Sequence, residues 1–380
     1  MTNPDFLFSL TPGDIVYDVE TFPNAFTVWF LHRTSRREWY FEISGRRNDI
    51  QILCTFIEVM QQQGNRMIGY NNIGFDYPVV HFIYKNRHAC ITHSDIYKKA
   101  MAVIQSNGPA KFAHMVWESD WLVPQLDPYK IHHFDNISKA TSLKVLEFNM
   151  RMDNIEDLPF PVGTVLNSDQ IDVLAKYNRY DVTATDKFTD RTLDKIKLRE
   201  ELSETFGKNM MNMSDVKMGE TILVTEMEKH GIKCYEYIDN KKVKRQTIRE
   251  SIDINAVILP YIKFDNLAFQ QIESYFRSKV ITETKGVFKG LVATIDGLNY
   301  TFGTGGLHAS VESQVVHTDD RMQLVDVDVE SFYPRIGIVN ELYPAHLGAE
   351  FVQAYNNVFN TRTTYPKGTP ENEAFKLALN

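Results

Sequence analysis

Cysteine is scarce in this chain of 380 residues: Cys54, Cys90 and Cys234 are the only three, far apart, with no CxxC pair and no nearby His at zinc spacing. That excludes a disulfide framework and a thiolate zinc site, and ordinary reduced thiols are expected. Long apolar runs are also missing, and the N-terminal Met1-Thr2-Asn3-Pro4-Asp5-Phe6 has neither the basic start nor the apolar core of a signal peptide. No membrane partner and a cytoplasmic location are therefore expected. There is no internal repeat and no low-complexity tract. Basic excess is lacking too, since the net charge is -8, which at first argues against a nucleic-acid partner bound through Lys and Arg. The objection is weak wherever carboxylates hold metal, because bound cations reverse the local charge.

What is present is an average globular composition, 43% hydrophobic and 24% charged, in a chain long enough for two or three domains. Residues 15–19 form a β-branched run between Gly13 and Pro23, read as a buried strand ending in Asp18 and Glu20. Phe26, Val28 and Phe30 alternate, and a turn at residues 33–37 leads to a second run at 39–43, so a hairpin is expected. Ile50, Leu53, Ile57 and Met60 recur at helical spacing. A short strand at 67–70 then ends in Asn71-Asn72-Ile73-Gly74-Phe75-Asp76. Strands followed by helices indicate an α/β sheet. From Ser168, taken as an N-cap, Ile171, Leu174, Ala175 and Asn178 mark a helix continuing through Asp181 toward Leu198. Residues 216–230 read as a helix bounded by Ser214 and Gly231. Short strand-like runs follow at 288–295, 299–302, 307–311 and 323–327. The four Trp residues, 29, 39, 117 and 121, are expected in a hairpin and loop core rather than on unpaired bases. Basic runs at 33–37, 46–47 and 241–245 each read as solvated surface.

Four carboxylates carry the chemistry. Asp18 and Glu20, at i and i+2 of a strand, share a face and could share one metal. Asp76 follows Gly74, whose freedom lets the backbone turn sharply and bring a third carboxylate beside the pair. Tyr177 and Asp181, at i and i+4 of a helix, project from one face. Two divalent ions about 4 Å apart could then activate a water and stabilise a leaving oxygen, with the Tyr hydroxyl orienting that water. Singly, Asp18 reads as a strand-end cap, Asp76 as a helix N-cap and Asp181 as a solvated helix residue. Jointly, three patterns in sequence order make coincidence improbable.

These motifs resemble the proofreading exonuclease of family B DNA polymerases: Asp18-x-Glu20 its first motif, Asn72-x-x-Phe75-Asp76 its second, and Tyr177-x-x-x-Asp181 its third, in the Tyr-containing variant. The resemblance implies a ribonuclease H-like mixed-sheet domain that binds two Mg²⁺, or Mn²⁺, through Asp18, Glu20, Asp76 and Asp181, with single-stranded DNA against Asn72 and Phe75. Phage members of the family carry a functional Lys where Lys144 stands. A surface Lys on a short amphipathic helix is the alternative reading.

A second set lies downstream. In Leu324-Val325-Asp326-Val327-Asp328, apolar and acidic residues alternate, so Asp326 and Asp328 would leave one face of a strand. Asp328-x-x-Ser331-Phe332-Tyr333-Pro334 resembles the first palm motif of the same family. It implies a metal-binding Asp328, and Ser331, Phe332 and Tyr333 around an incoming dNTP, with Tyr333 excluding a ribose 2′-hydroxyl. Gly305 and Gly306 lie where phage members carry a template-contacting Gly-Gly segment; a tight turn is the alternative. Lys376 and Asn380 match the first half of the finger motif, with Arg362 as a further nucleotide-binding candidate or a solvated residue.

The expected organisation is an exonuclease domain at 1–200, a helical connector at 201–285, part of a palm at 286–345 and the start of the fingers at 346–380. The expected function is the N-terminal part of a family B DNA polymerase of phage type, acting on primer–template DNA in a host cytoplasm. A C-terminal polymerase fragment would complete its synthetic site, separated by a split gene or an intein, with simple truncation as the third explanation. Two other functions stay open: a stand-alone 3′→5′ exonuclease on DNA or RNA, and a non-catalytic assembly subunit.

Overall fold

A computed structural model describes residues 10–106, 108–311 and 313–379. It divides into two compact units, Met1–Lys229 with Ala354–Asn380, and His230–Gln353. Among the described residues, no helix is long and apolar enough to cross a membrane. Cys54, Cys90 and Cys234 form no disulfide.

The first unit is built on a five-stranded mixed sheet. Its strands are β1 (Asp14–Phe22), β2 (Ala25–His32), β3 (Glu38–Ser44), β4 (Arg66–Ile68) and β5 (Gln125–Leu126), in the order β3-β2-β1-β4-β5. β2 and β3 pair antiparallel as the expected hairpin, and β1 pairs antiparallel with β2, whereas β4 joins β1 and β5 joins β4 in parallel. A central strand needs apolar residues on both faces. β1 has them: Ile15, Tyr17 and Val19 enter one core with Phe56 and Val79, while Val16 enters another with Ile68, Leu126 and Val182.

Helices α1 (Ile50–Gln62) and α2 (Asp76–Lys85) contribute to the first core, beside α3 (His93–Gln105). A short helix α4 (Leu143–Asn149) precedes α5 (Ser168–Asp190), which brings Val182 to the second core. α6 (Leu193–Phe206) and α7 (Asp215–Lys229) follow, and the helix Pro370–Leu379 packs on α7 so closely that a Cβ at Gly219 would lie 2.8 Å from the Ala378 nitrogen.

Several local expectations are corrected. Ser168 is the first helical residue rather than the cap. Asn167 caps α5 instead, its Oδ1 accepting from the Gln170 N–H at 2.9 Å while Gln170 Oε1 accepts from the Asn167 N–H at 2.9 Å. The helix does not run unbroken toward Leu198 either, because it stops at Asp190 and restarts at Leu193. Thr189 and Thr192 donate their hydroxyls to the carbonyls of Thr185 and Phe188, the back-bonding that bends helices, and Thr192 is also within 3.0 Å of His132 Nε2. The sharp turn before α2 is made by Asn71 at φ 61°, whereas at Gly74 a Cβ would lie 2.5 Å from Asn71 Oδ1, so the Asn71 side chain would have to shift to admit one. Trp39 is buried as expected, but Trp117 is 54% exposed, its ring plane within 4° of that of Phe112.

In the second unit, strands Leu291–Ile295, Leu298–Gly303 and Gly306–Ser310 form an antiparallel sheet. The helix Leu267–Arg277 covers it through Phe269, Ile272 and Phe276, packed with Ala293 and Phe302. Gly305 lies in the two-residue turn between the last two strands, and Gly306 opens the last of them. The run at 323–327 is not a strand. Leu324, Val325 and Val327 are 60%, 69% and 85% exposed, and no neighbouring strand supplies a ladder for them. Alternation selects a strand only where a partner edge accepts its backbone groups.

Candidate active site

The site grows from the end of β1. Val16, Asp18 and Glu20 share one face by the period of two, and the helix that covers this face is α5, through Val182. Around Val182, α5 presents Tyr177 and Asn178, about one turn earlier, and Asp181, the residue immediately before it, to the two carboxylates. A ligand oxygen from each of Asp18, Glu20 and Asp181 lies within 4.8 Å of the others, and no further group of three metal-ligating side chains occurs among the described residues.

Asp76 is held by an edge that the sheet leaves open. β4 is only three residues long and pairs with Asp14 to Val16 alone, so beyond that point β1 has no neighbour on this side. The first residue of α2 fills the gap: Asp76 Oδ1 accepts from the Val19 N–H at 3.1 Å. Asp76 is 4% exposed and Asp181 9%, whereas Asp18 and Glu20 keep part of their surface open.

The set is strongly anionic for its burial. Asp76 and Asp181 are each pushed up to about 7, chiefly by burial. Asp18 is raised by burial and then by the charges of Asp76, Asp181 and Glu20, against one lowering contact from Asn178. Glu20 is raised by burial, Asp181 and Asp76, and is lowered only by Lys144. Tyr177 is also raised, by burial, by the nearby carboxylates and by its hydrogen bond to Asp181. Carboxylates this close cannot all ionise without cations. Oxygen donors grouped with such a shortage of positive charge could hold a metal ion.

Lys144 stands at this site rather than on a remote surface. Its Nζ is 5.9 Å from the centre of the Tyr177 ring and donates to Asp157 and to the Glu156 carbonyl. Asn72 is fully buried, its Nδ2 donating to Gln125 Oε1 at 3.0 Å, and Phe75 is half-buried. In the second unit, Asp328 and Tyr333 are exposed, Phe332 is 50% exposed and Ser331 adopts φ 54° just before the helix Phe332–Val339. Arg362 and Lys376 belong to the first unit, where Arg362 Nε is 3.4 Å from Asn372 Oδ1 and Lys376 Nζ 3.4 Å from Glu373 Oε2. Asn380 lies outside the described residues.

Two participants escaped the sequence reading. Asn178 donates through Nδ2 to Asp18 Oδ2 at 2.7 Å and accepts from Thr27 Oγ1 at 3.3 Å, so it fixes Asp18 against β2. Its signal was an amide on the buried stripe that Ile171 and Leu174 define. Glu147, one turn beyond Lys144, is 1% exposed, and neither of its carboxyl oxygens has a partner. Burial raises it, Lys144 lowers it, and its charge in turn raises Asp181. A buried carboxyl without partners costs roughly 1–3 kcal/mol. Glu147→Met is accordingly expected to raise the melting temperature of the metal-free protein by roughly 3–6 °C in a calorimetric scan. A lower melting temperature would count against this account.

No family model matches the chain, and no curated protein matches it.

Proposed function

We propose that the first unit is a metal-dependent 3′→5′ exonuclease of the ribonuclease H-like kind, in the N-terminal part of a family B DNA polymerase of phage type. The observation that carries the reading is the convergence of Asp18, Glu20 and Asp181 within 4.8 Å, with Asp76 fixed on Val19 beside them and Tyr177 one helical turn before Asp181. In this reading Asp18, Glu20, Asp76 and Asp181 would hold Mg²⁺, which when bound supplies a water of lowered pKa and a counter-charge for the leaving oxygen.

The remaining work belongs to the chain. Tyr177, one turn before Asp181 on the same helix, orients the attacking water. Lys144, beside Glu20 and Tyr177, supplies positive charge for the scissile phosphate. Asn178 keeps Asp18 in one rotamer. Water adds to phosphorus, the bond to the 3′ oxygen breaks, and a nucleoside 5′-monophosphate leaves while that oxygen gains a proton. The acidic net charge agrees with carboxylates concentrated on metal.

The test is the polarity and metal dependence of digestion. A 5′-labelled single strand of DNA is expected to shorten stepwise from its 3′ end in Mg²⁺ and to remain intact in EDTA. Digestion that persists in EDTA, or that starts from the 5′ end, would defeat the proposal.

The polymerase part rests on the residues from Asp328 to Pro334 and on Lys376. A stand-alone nuclease is favoured by one observation, that Asp328 is exposed and joins no group of three ligands. Preference for RNA over primer–template DNA in the same assay would select that reading. The partners proposed with the leading one are DNA, dNTP and a C-terminal polymerase fragment.

A further inference from the structure

The lysine run expected to be ordinary surface forms one strand of an exposed ribbon. β6 (Tyr235–Ile238) and β7 (Lys241–Lys244) pair antiparallel, with Tyr235 opposite Lys244 and Tyr237 opposite Lys242. Their connection, Asp239 and Asn240, has φ 49° and 60°, the left-handed pair that a two-residue hairpin loop requires. The ribbon is rooted by the buried Ile232 and Cys234, the latter accepting through its carbonyl from the Arg245 N–H at 3.0 Å.

Register decides what the ribbon displays. The period of two puts Tyr235, Tyr237, Lys242 and Lys244 on one face, and Glu236, Ile238, Lys241 and Val243 on the other. The first face therefore carries two aromatic rings and two cations and no carboxylate. Lys242 Nζ lies 4.2 Å from the centre of the Tyr235 ring, and Tyr237 is 75% exposed. Residues 233–249 hold six Lys and Arg against two carboxylates, whereas the chain as a whole has a net charge of -8. A local reversal of sign beside an exposed ring is the chemistry of a nucleic-acid strand, in which phosphates meet cations and unpaired bases meet aromatic faces.

We propose that this face of the ribbon binds single-stranded DNA, with Lys242 and Lys244 neutralising phosphates and Tyr237 stacking on an unpaired base. The choice of DNA rests on the nuclease reading of the first unit, whereas the track itself rests on the ribbon alone. Duplex fits less well, since a paired base offers no free face to Tyr237.

The experiment measures anisotropy of a fluorescein-labelled oligothymidylate with the full chain in EDTA, so that digestion plays no part. Affinity is read from 50 to 300 mM salt. Lys242→Ala with Lys244→Ala is expected to lower the slope of log affinity against log salt by about 1.4. Tyr237→Ala is expected to weaken binding about tenfold at fixed salt, and Tyr237→Phe to restore it to within about twofold. An abasic oligomer should erase the difference between Tyr237 and Ala. An unchanged slope in the double variant, or unchanged affinity in Tyr237→Ala, overturns the proposal. A wild-type chain that digests DNA in Mg²⁺ yet shows no ribbon-dependent binding in EDTA overturns the ribbon and leaves the nuclease standing. Ribbon-dependent binding without digestion does the reverse.

Discussion

Asp18→Ala is expected to slow Mg²⁺-dependent digestion of single-stranded DNA by about 10³-fold or more, equivalent to roughly 4 kcal/mol of lost transition-state stabilisation. The loss should fall on kcat, because in the proposed site Asp18 would touch ions and reacting atoms rather than the body of the strand. Folding is not at issue. β1 is held by backbone pairing with β2, in which Asp18 stands opposite Trp29, and by the apolar residues on either side. Removal of Asp18, which is raised by burial and then by the charges of Asp76, Asp181 and Glu20, should even stabilise the metal-free protein. A variant that digests slowly yet melts at or above the wild-type temperature in EDTA would separate chemistry from folding. Asn178→Ala is a graded companion, since Asn178 touches Asp18 and no other carboxylate of the set. Loss of such an orienting group is expected to cost about 10- to 100-fold. Undiminished digestion by Asp18→Ala would remove the site assignment altogether.

Much of this site is legible in the sequence because its geometry is local. Asp18 and Glu20 share a face by strand period, and Tyr177 and Asp181 by helical period, so each pair follows from spacing alone. What joins the pairs is not local. Asp76 meets Val19 only because β4 stops after three residues and leaves part of β1 unpaired, a fact of sheet registry that spacing does not encode. Glu147 carries no motif, and only the packing of α4 reveals that its carboxyl has no partner. The same distinction explains the errors. Residues 323–327 alternate like a strand, but a strand is specified by its neighbours as much as by its own pattern, and here no neighbour is in place. Asn167 and Ser168 are both good caps, and the choice between them turns on the reach of Gln170. The run 241–245 was correctly placed on the surface, yet the sorting of its lysines with Tyr235 and Tyr237 depends on pairing register.

The metal-free protein is expected to lose stability as pH rises from about 5.5 to 8. Asp76 and Asp181 have folded-state values of about 7 against ordinary values of 3.8, so the folded chain keeps protons that the unfolded chain has released. A carboxyl raised in this way contributes stability that is complete below about pH 4 and is lost as pH climbs through about 7. A shift of this size in one group corresponds to about 4 kcal/mol. Asp18 and Glu20 are raised as well, but because the four share their charges the total is less than their sum. Asp127, also pushed up to about 7 by burial, and Glu147 pull the same way, whereas His81 and His132, lowered by burial, pull the opposite way, so the diagnostic quantity is a difference. Melting temperatures in EDTA should fall across this window, and Mg²⁺ or Mn²⁺ should restore more of the loss at pH 8 than at pH 5.5, because ions must displace protons at the lower pH. Asp76→Asn keeps an oxygen for the Val19 N–H and removes one charge, and is therefore expected to flatten the decline without metal. A melting temperature in EDTA that is level or rising from pH 5.5 to 8, or equal stabilisation by Mn²⁺ at both values, would show that these carboxylates do not share one ion-binding pocket.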